Sequence, residues 1–167
     1  MTHQYKSQYR TVRGYQLDNQ QENELTSAME DYLEMVCRQC KENGYTRVSR
    51  ISELLNVRPS SASKMIARLV KLGYLKYDAY ESILLEEKGE QAGTYLLYRH
   101  DIVEQFLRLI GNNNPLKEVE LIEHSLNSST VEQVSILLDF FEENISLKKQ
   151  YMEYSKKKSV IIDTLQK

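Results

Sequence analysis

The stretch RVSRISELLNVRPSSASKMIARLVKLGYLKY, residues 47–77, constrains the fold more than any other part of this chain. Ile51, Leu54 and Leu55 recur at the spacing of one helical face over Ser49 to Leu55. Met65, Ile66, Leu69 and Val70 do the same over Ser60 to Leu72. The intervening NVRP is a tight turn, and Ser60 or Ser61 offers a side-chain cap for the second helix. After Gly73, YLKY and SILLE have strand character and DAYE makes the bend between them. Two short helices joined by a turn and followed by a two-strand wing predict a winged helix-turn-helix.

Charge supports that reading. The formal net charge is only -2, but its distribution is uneven. Between Tyr45 and Tyr77, Arg47, Arg50, Arg58, Lys64, Arg68, Lys71 and Lys76 face the single anion Glu53. From Lys117 to Glu143 the balance reverses, with Glu118, Glu120, Glu123, Glu132, Asp139, Glu142 and Glu143 against Lys117 alone. One segment suits a polyanion and the other suits cations. In a helix-turn-helix the start of the second helix enters the major groove while the turn and helix ends touch phosphates. The exposed set Arg58, Ser60, Ser61, Ser63, Lys64 and Arg68 is therefore expected to contact double-stranded DNA.

The remaining chain is predicted to be mostly helical. A polar, flexible arm covers residues 1–23, and a first helix runs from Asn23 to Lys41 with Thr26 or Ser27 as cap and ENGY as its end. Leu33, Val36 and Cys37 form its apolar side. A long helix, Gln91 to Ile110, carries Leu96, Leu97, Val103, Phe106, Leu107 and Ile110 and stops at GNNNP. Further helices are expected near Leu116 to Leu126, Thr130 to Asn144 and Ser146 to Leu165. The expected organisation is a DNA-binding domain over 24–90 and an all-helical metal-binding and dimerisation domain over 91–167. Its apolar faces exceed what one small domain needs, which favours a homodimer. No run of 18 or more apolar residues is present, so neither a membrane span nor a signal peptide is expected and a cytoplasmic location follows. Cys37 and Cys40, three apart on one helix, are badly placed for a disulfide and read as reduced thiols.

Six residues carry metal-binding chemistry. Glu120, Glu123 and His124 in EVELIEHSL stand at i, i+3 and i+4, on one face if that segment is a helix. MEDYLE places Asp31 and Glu34 at i and i+3, and LLYRHDIVEQFL contributes His100. Carboxylate oxygens with imidazole nitrogens suit Mn²⁺ or Fe²⁺, and the lack of a thiolate argues against structural zinc. A dinuclear carboxylate enzyme of the ferritin-like kind needs Glu-x-x-His pairs. Here Leu121 and Leu97 stand three residues before His124 and His100, so that pattern fails. Without HExxH or a Gly-rich phosphate loop, no enzyme activity and no organic substrate are expected.

MEDYLE, RVSRISELLNVRPSSASKMIARL, LGYLKY, LLYRHDIVEQFLRLIG and VELIEH follow one another at nearly the spacing of the diphtheria toxin repressor family, and the chain resembles its manganese transport regulator branch over roughly Leu25 to Lys149. The resemblance implies a metal-activated operator-binding regulator, a repressor of manganese uptake. It places metal ligands on Asp31, Glu34, His100, Glu120, Glu123 and His124. Iron-responsive members carry Met at the position of Asp31 and Cys at that of Glu120, so an iron-responsive repressor is the alternative it disfavours; a metal-independent winged-helix regulator is the more distant one. It also implies that the SH3-like third domain of iron-type members has no counterpart here. Glu104, four residues after His100, is read as a surface ion-pair partner in preference to an accessory ligand. The arm and the basic SKKKS near the end are not explained by the resemblance.

Four clustered carboxylates repel by roughly 4 kcal/mol per pair when held about 4 Å apart in a partly shielded site. Two divalent ions per protomer neutralise them if both imidazoles are unprotonated. Joining the first helix to the dimerising part fixes the separation of two recognition helices, and a palindromic operator requires half-sites about 34 Å apart or a multiple of it.

Overall fold

The computed structural model describes the chain from residue 25 to residue 165, with side chains through Lys158; the arm expected at 1–23 lies outside these described residues. It divides into two compact units, one ending at Gly89 and the other starting at Glu90.

In the first unit α1, Ser27–Asn43, is capped by Thr26, whose Oγ1 accepts from the Met29 N–H at 3.3 Å. Its end is set by Gly44, which turns left-handed at φ 82° and returns its N–H to the Cys40 carbonyl. Helix α2, Val48–Leu54, and helix α3, Pro59–Lys71, form the helix-turn-helix. Between them Asn56 adopts φ 50° and the Val57 N–H reaches the Ser52 carbonyl at 2.9 Å, which makes the turn tight. The cap of α3 is Arg58 rather than Ser60 or Ser61. Pro59 takes the first helical position, where its missing N–H costs nothing, so both serines already lie inside the helix.

The buried apolar side chains include Met29, Leu33, Val36 and Cys37 of α1, Ile51 of α2, Ala62, Ile66 and Leu69 of α3, and Leu75 and Ile83 of the wing. Fully burying an aliphatic side chain of this size stabilises by about 1.5–3 kcal/mol. On α2 the inward face is Ile51 with Ser52, while Leu54 is exposed, contrary to the expected Ile51, Leu54, Leu55 face. Strands β1, Leu75–Tyr77, and β2, Ile83–Leu85, pair antiparallel with Lys76 opposite Leu84. Thr46 adds a single bridge to Ile83, its N–H donating at 3.1 Å and its carbonyl accepting at 2.8 Å. The wing is thereby fastened to the segment that leads into α2.

The second unit contains most of α4, Glu87–Leu109, then α5, Leu116–Ile122, a 3-10 turn, Glu123–Ser125, helix α6, Ser128–Glu143, and helix α7, Ile145–Leu165. Ile102, Val131 and Leu138 form one buried cluster with Leu109, Leu126 and Val134 against it. Val103, Leu107 and Val119 form a second, flanked by Phe106, Ile122 and Leu126. These clusters are small beside the apolar groups left in water: Leu121, Ile136, Phe140, Ile145 and Tyr154 are all about half exposed or more. A helical unit with this much uncovered apolar surface is suited to self-association.

Candidate metal centre

Helix α4 and the α5 segment bring four of the six metal-type residues together in the second unit. His100 Nδ1 lies 3.1 Å from Glu123 Oε2 and 3.9 Å from Glu120 Oε1. His124 Nε2 is 3.6 Å from Glu123 Oε1. Glu123 thus turns one oxygen to each imidazole. A carboxylate only accepts, so a hydrogen bond at this contact requires the hydrogen on His100 Nδ1. The two longer distances are charge proximity rather than hydrogen bonds.

Local geometry explains the unequal exposure of the acids. The α-helix ends at Ile122, and Glu123 and His124 stand on the 3-10 turn, not on a continuous α-helical face. Val119 is fully buried in the cluster with Val103 and Leu107, which pins α5 against α4. With this anchor the side chain of Glu123 is only 1% exposed while that of Glu120 is 60% exposed. One carboxylate sits inside and the other at the rim. A carboxylate removed from water is costly unless paired, and the His100 contact meets part of that cost.

A residue that sequence reasoning missed completes the local picture. Arg99 is 4% exposed, and its Nη2 lies 3.1 Å from His124 Nδ1. The available signal was an arginine set directly before His100 in a helix whose Leu96 and Val103 are core positions.

In the first unit Asp31 and Glu34 lie one turn apart on α1. The Glu34 side chain is 12% exposed, and Arg38 donates to its Oε1 from Nε at 3.1 Å and Nη2 at 2.8 Å. Arg38 was also missed, although the i,i+4 rule would have found it. Burial, and then the charge of Asp31, raises the Tyr32 hydroxyl above its ordinary pKa. On α4, Glu104 accepts from Arg108 Nε at 3.0 Å and pairs with its Nη2.

The groups expected to face DNA are all in the first unit. Arg58, Ser60, Ser61, Ser63, Lys64 and Arg68 are exposed on α3 and at its start. A cleft of about 430 Å³ lined by Arg47, Ser49, Ser63, Tyr77, Tyr80 and Glu81 separates this surface from the wing. At its tip Tyr80 is 81% exposed. Cys37 and Cys40 are not joined in a disulfide, and burial followed by the neighbouring Cys37 pushes Cys40 up to about 11. No helix among the described residues is long and apolar enough to cross a membrane.

Comparison with known proteins agrees with this division. Residues 24–83 match the model for the iron dependent repressor N-terminal DNA binding domain. Residues 86–150 match that for the iron dependent repressor metal binding and dimerisation domain. The HTH-type transcriptional regulators MntR of Bacillus velezensis (strain DSM 23117 / BGSC 10A6 / LMG 26770 / FZB42) and of Bacillus subtilis (strain 168) are each 42% identical over 134 residues, covering 79% of this chain and 94% of theirs. That of Geobacillus thermodenitrificans (strain NG80-2) is 45% identical over 121 residues, 71% of this chain and 86% of its own. The solved structure of the metal-dependent transcriptional regulator MtsR matches with a TM-score of 0.61 at 26% identity, over 67% of this chain and 54% of that one. The apo form of the manganese-activated repressor ScaR matches with a TM-score of 0.57 at 26% identity, over 66% and 54%. The manganese regulator SloR, at 24% identity and a TM-score of 0.61 over 67% and 54%, supports the fold alone. This chain spans about half the length of these solved structures but nearly all of the Bacillus regulators.

Proposed function

The chain belongs to the iron dependent repressor family, and from that premise we propose that it is a manganese-responsive transcriptional repressor that binds operator DNA as a homodimer. The observation that carries the reading is the Glu123 carboxylate, shielded from water and placed with one oxygen toward His100 and the other toward His124. Oxygen and imidazole nitrogen throughout are the donors that hard divalent ions of the Mn²⁺ type take. They fit the metal that the name of the manganese-activated repressor ScaR carries. Fe²⁺ shares these donors and is the second candidate.

His100, Glu120, Glu123 and His124 hold the metal, with Asp31 and Glu34 of α1 as the remaining ligands. The orientation of the two Glu123 oxygens toward different imidazoles supports two ions per protomer. A divalent ion held by these residues would supply positive charge that offsets the repulsion between their carboxylates. For His100 to ligate through Nδ1, the hydrogen directed at Glu123 would have to leave that nitrogen, by moving to Nε2 or to solvent. Glu34 must in turn loosen its pair with Arg38. The domain limits follow the same assignment, with 24–90 reading DNA and 91–167 holding metal and dimerising. Arg58, Ser60, Ser61, Ser63, Lys64 and Arg68 meet a palindromic operator in successive major grooves. Repression in the cytoplasm of genes for manganese uptake is the physiological output.

The test is binding of the purified protein to its own upstream DNA by fluorescence anisotropy, titrated with Mn²⁺, anaerobic Fe²⁺ and Zn²⁺ at constant salt. Strong activation by Mn²⁺ supports the proposal. Equal binding with metal and with chelator overturns it and leaves a metal-independent winged-helix regulator.

A further inference from the structure

Arg99 has no part in the ligand assignment, yet it is one of the least exposed charged groups among the described residues. Its guanidinium can only donate, so the 3.1 Å contact with His124 Nδ1 requires that this nitrogen present its lone pair to Arg99. In the neutral ring the hydrogen then resides on Nε2, the nitrogen that faces Glu123 Oε1 at 3.6 Å. In this arrangement neither nitrogen of the neutral His124 ring offers a lone pair to a cation: Nδ1 is engaged by Arg99, and Nε2 then carries the hydrogen.

Each way of freeing a lone pair on His124 breaks the same contact. Ligation through Nδ1 puts the ion where the guanidinium donates. Ligation through Nε2 needs the other tautomer, whose Nδ1–H would point at an Arg99 N–H, donor against donor. Turning the ring over replaces Nδ1 by a carbon on the Arg99 side. The conclusion does not depend on which nitrogen binds.

We propose that Arg99 is a resident cation that occupies His124 in the metal-free protein and must withdraw before His124 can take a metal ion. The inference rests on the metal-binding reading above. It makes Arg99 a determinant of the metal threshold: its positive charge competes with a divalent ion for one imidazole, and its retention in a buried position sets how much metal is needed to displace it.

The experiment compares Mn²⁺ titrations of the full-length wild type and the Arg99→Met and Arg99→Lys variants by calorimetry, with bound ions counted by electron paramagnetic resonance. Arg99→Met removes the charge and donor but keeps a long side chain. The expected result is Mn²⁺ binding at least roughly tenfold tighter in at least one step, since a like charge has left the site. Arg99→Lys, which retains the cation, stays near wild type. Unchanged or weaker Mn²⁺ binding by folded Arg99→Met overturns the proposal and makes Arg99 an orienting partner for His124. A crystal structure of the Mn²⁺-loaded wild type decides the matter even if Arg99→Met does not fold. Arg99 Nη2 beyond hydrogen-bond reach of a metal-bound His124 supports the proposal, and a retained 3.1 Å contact defeats it. Wild type that takes up no Mn²⁺ at all is a distinct failure, one of the metal reading itself.

Discussion

Glu123 Oε2 accepts from His100 Nδ1 at 3.1 Å inside a site that leaves the Glu123 side chain 1% exposed, so a carboxylate on the turn after α5 is held by an imidazole from α4. Glu123→Gln keeps its shape and removes its charge; His100→Ala removes its partner. Both variants are expected to lose at least the roughly 10- to 100-fold in Mn²⁺ affinity that even outer partners of a metal contribute, with circular dichroism unchanged. Calorimetric Mn²⁺ titration checks this, and full activation of DNA binding by Mn²⁺ in both variants would remove these two residues from the ligand set.

Gly89 offers a test of how α4 is joined to the helix-turn-helix unit. A Cβ at this position would fall 1.9 Å from the Tyr74 carbonyl oxygen, which already accepts from the Glu86 N–H at 3.0 Å. That oxygen belongs to the backbone and cannot swing away. Gly89→Ala, a change that favours helix by propensity, is therefore expected to destabilise by about 1–3 kcal/mol through overpacking. Urea unfolding measures it; a variant as stable as wild type would mean that the strand-to-helix junction relaxes freely.

The winged helix was legible because its signals are local: apolar residues at helical spacing, a tight turn and two strand-like runs in fixed order. Where the reading failed, a neighbour in space decided. Leu54 has the hydrophobicity for the α2 core, but Ser52 takes a buried place and bonds its hydroxyl to the Ser49 carbonyl at 2.8 Å. Pro59 moved the start of α3 back to Arg58, a shift that the proline itself signalled. The acids of the α5 segment were expected on one helical face, and only the packing of Val119 shows why Glu123 is buried and Glu120 is not. Arg99 illustrates the limit of sequence reading most clearly. Nothing in a linear pattern states that a charged group will be turned inward, because that depends on an acceptor 25 positions later.

The wing bend carries a pH signature. Asp78 Oδ1 accepts from the backbone N–H of Ser82 at 2.7 Å and of Tyr80 at 2.8 Å. The Ser82 N–H is the largest of the influences that hold its carboxyl below the usual range, with the Tyr80 N–H, the Ser82 hydroxyl and the charge of Arg47 adding to it. A depressed folded pKa means that the stabilisation is present above the unfolded value, about 3.9, and is lost as pH falls through the folded value. Asp78→Asn, which retains an acceptor oxygen but no charge, is expected to melt below wild type at neutral pH. The difference should shrink in acid. Parallel thermal melts across that range test the sign, and a gap that widens on acidification would contradict it.

Lys64 separates the DNA function from the metal function. It is exposed on α3 beside Ser63, in the first unit, while His100, Glu120, Glu123 and His124 belong to the second. If its role is a phosphate contact, Lys64→Ala weakens operator binding about equally across sequences and reduces the salt slope by about 1 per protomer. Its Mn²⁺ affinity without DNA should equal that of wild type, because no ligand has changed. Coupling makes the comparison stringent. Whatever factor Mn²⁺ gives to operator affinity, operator must return to Mn²⁺ affinity, and Lys64→Ala should keep that factor while lowering both DNA affinities together. Anisotropy with and without Mn²⁺, paired with Mn²⁺ titration with and without operator, measures all four sides of the cycle. Loss of Mn²⁺ uptake in DNA-free Lys64→Ala would refute the division of labour between the two units.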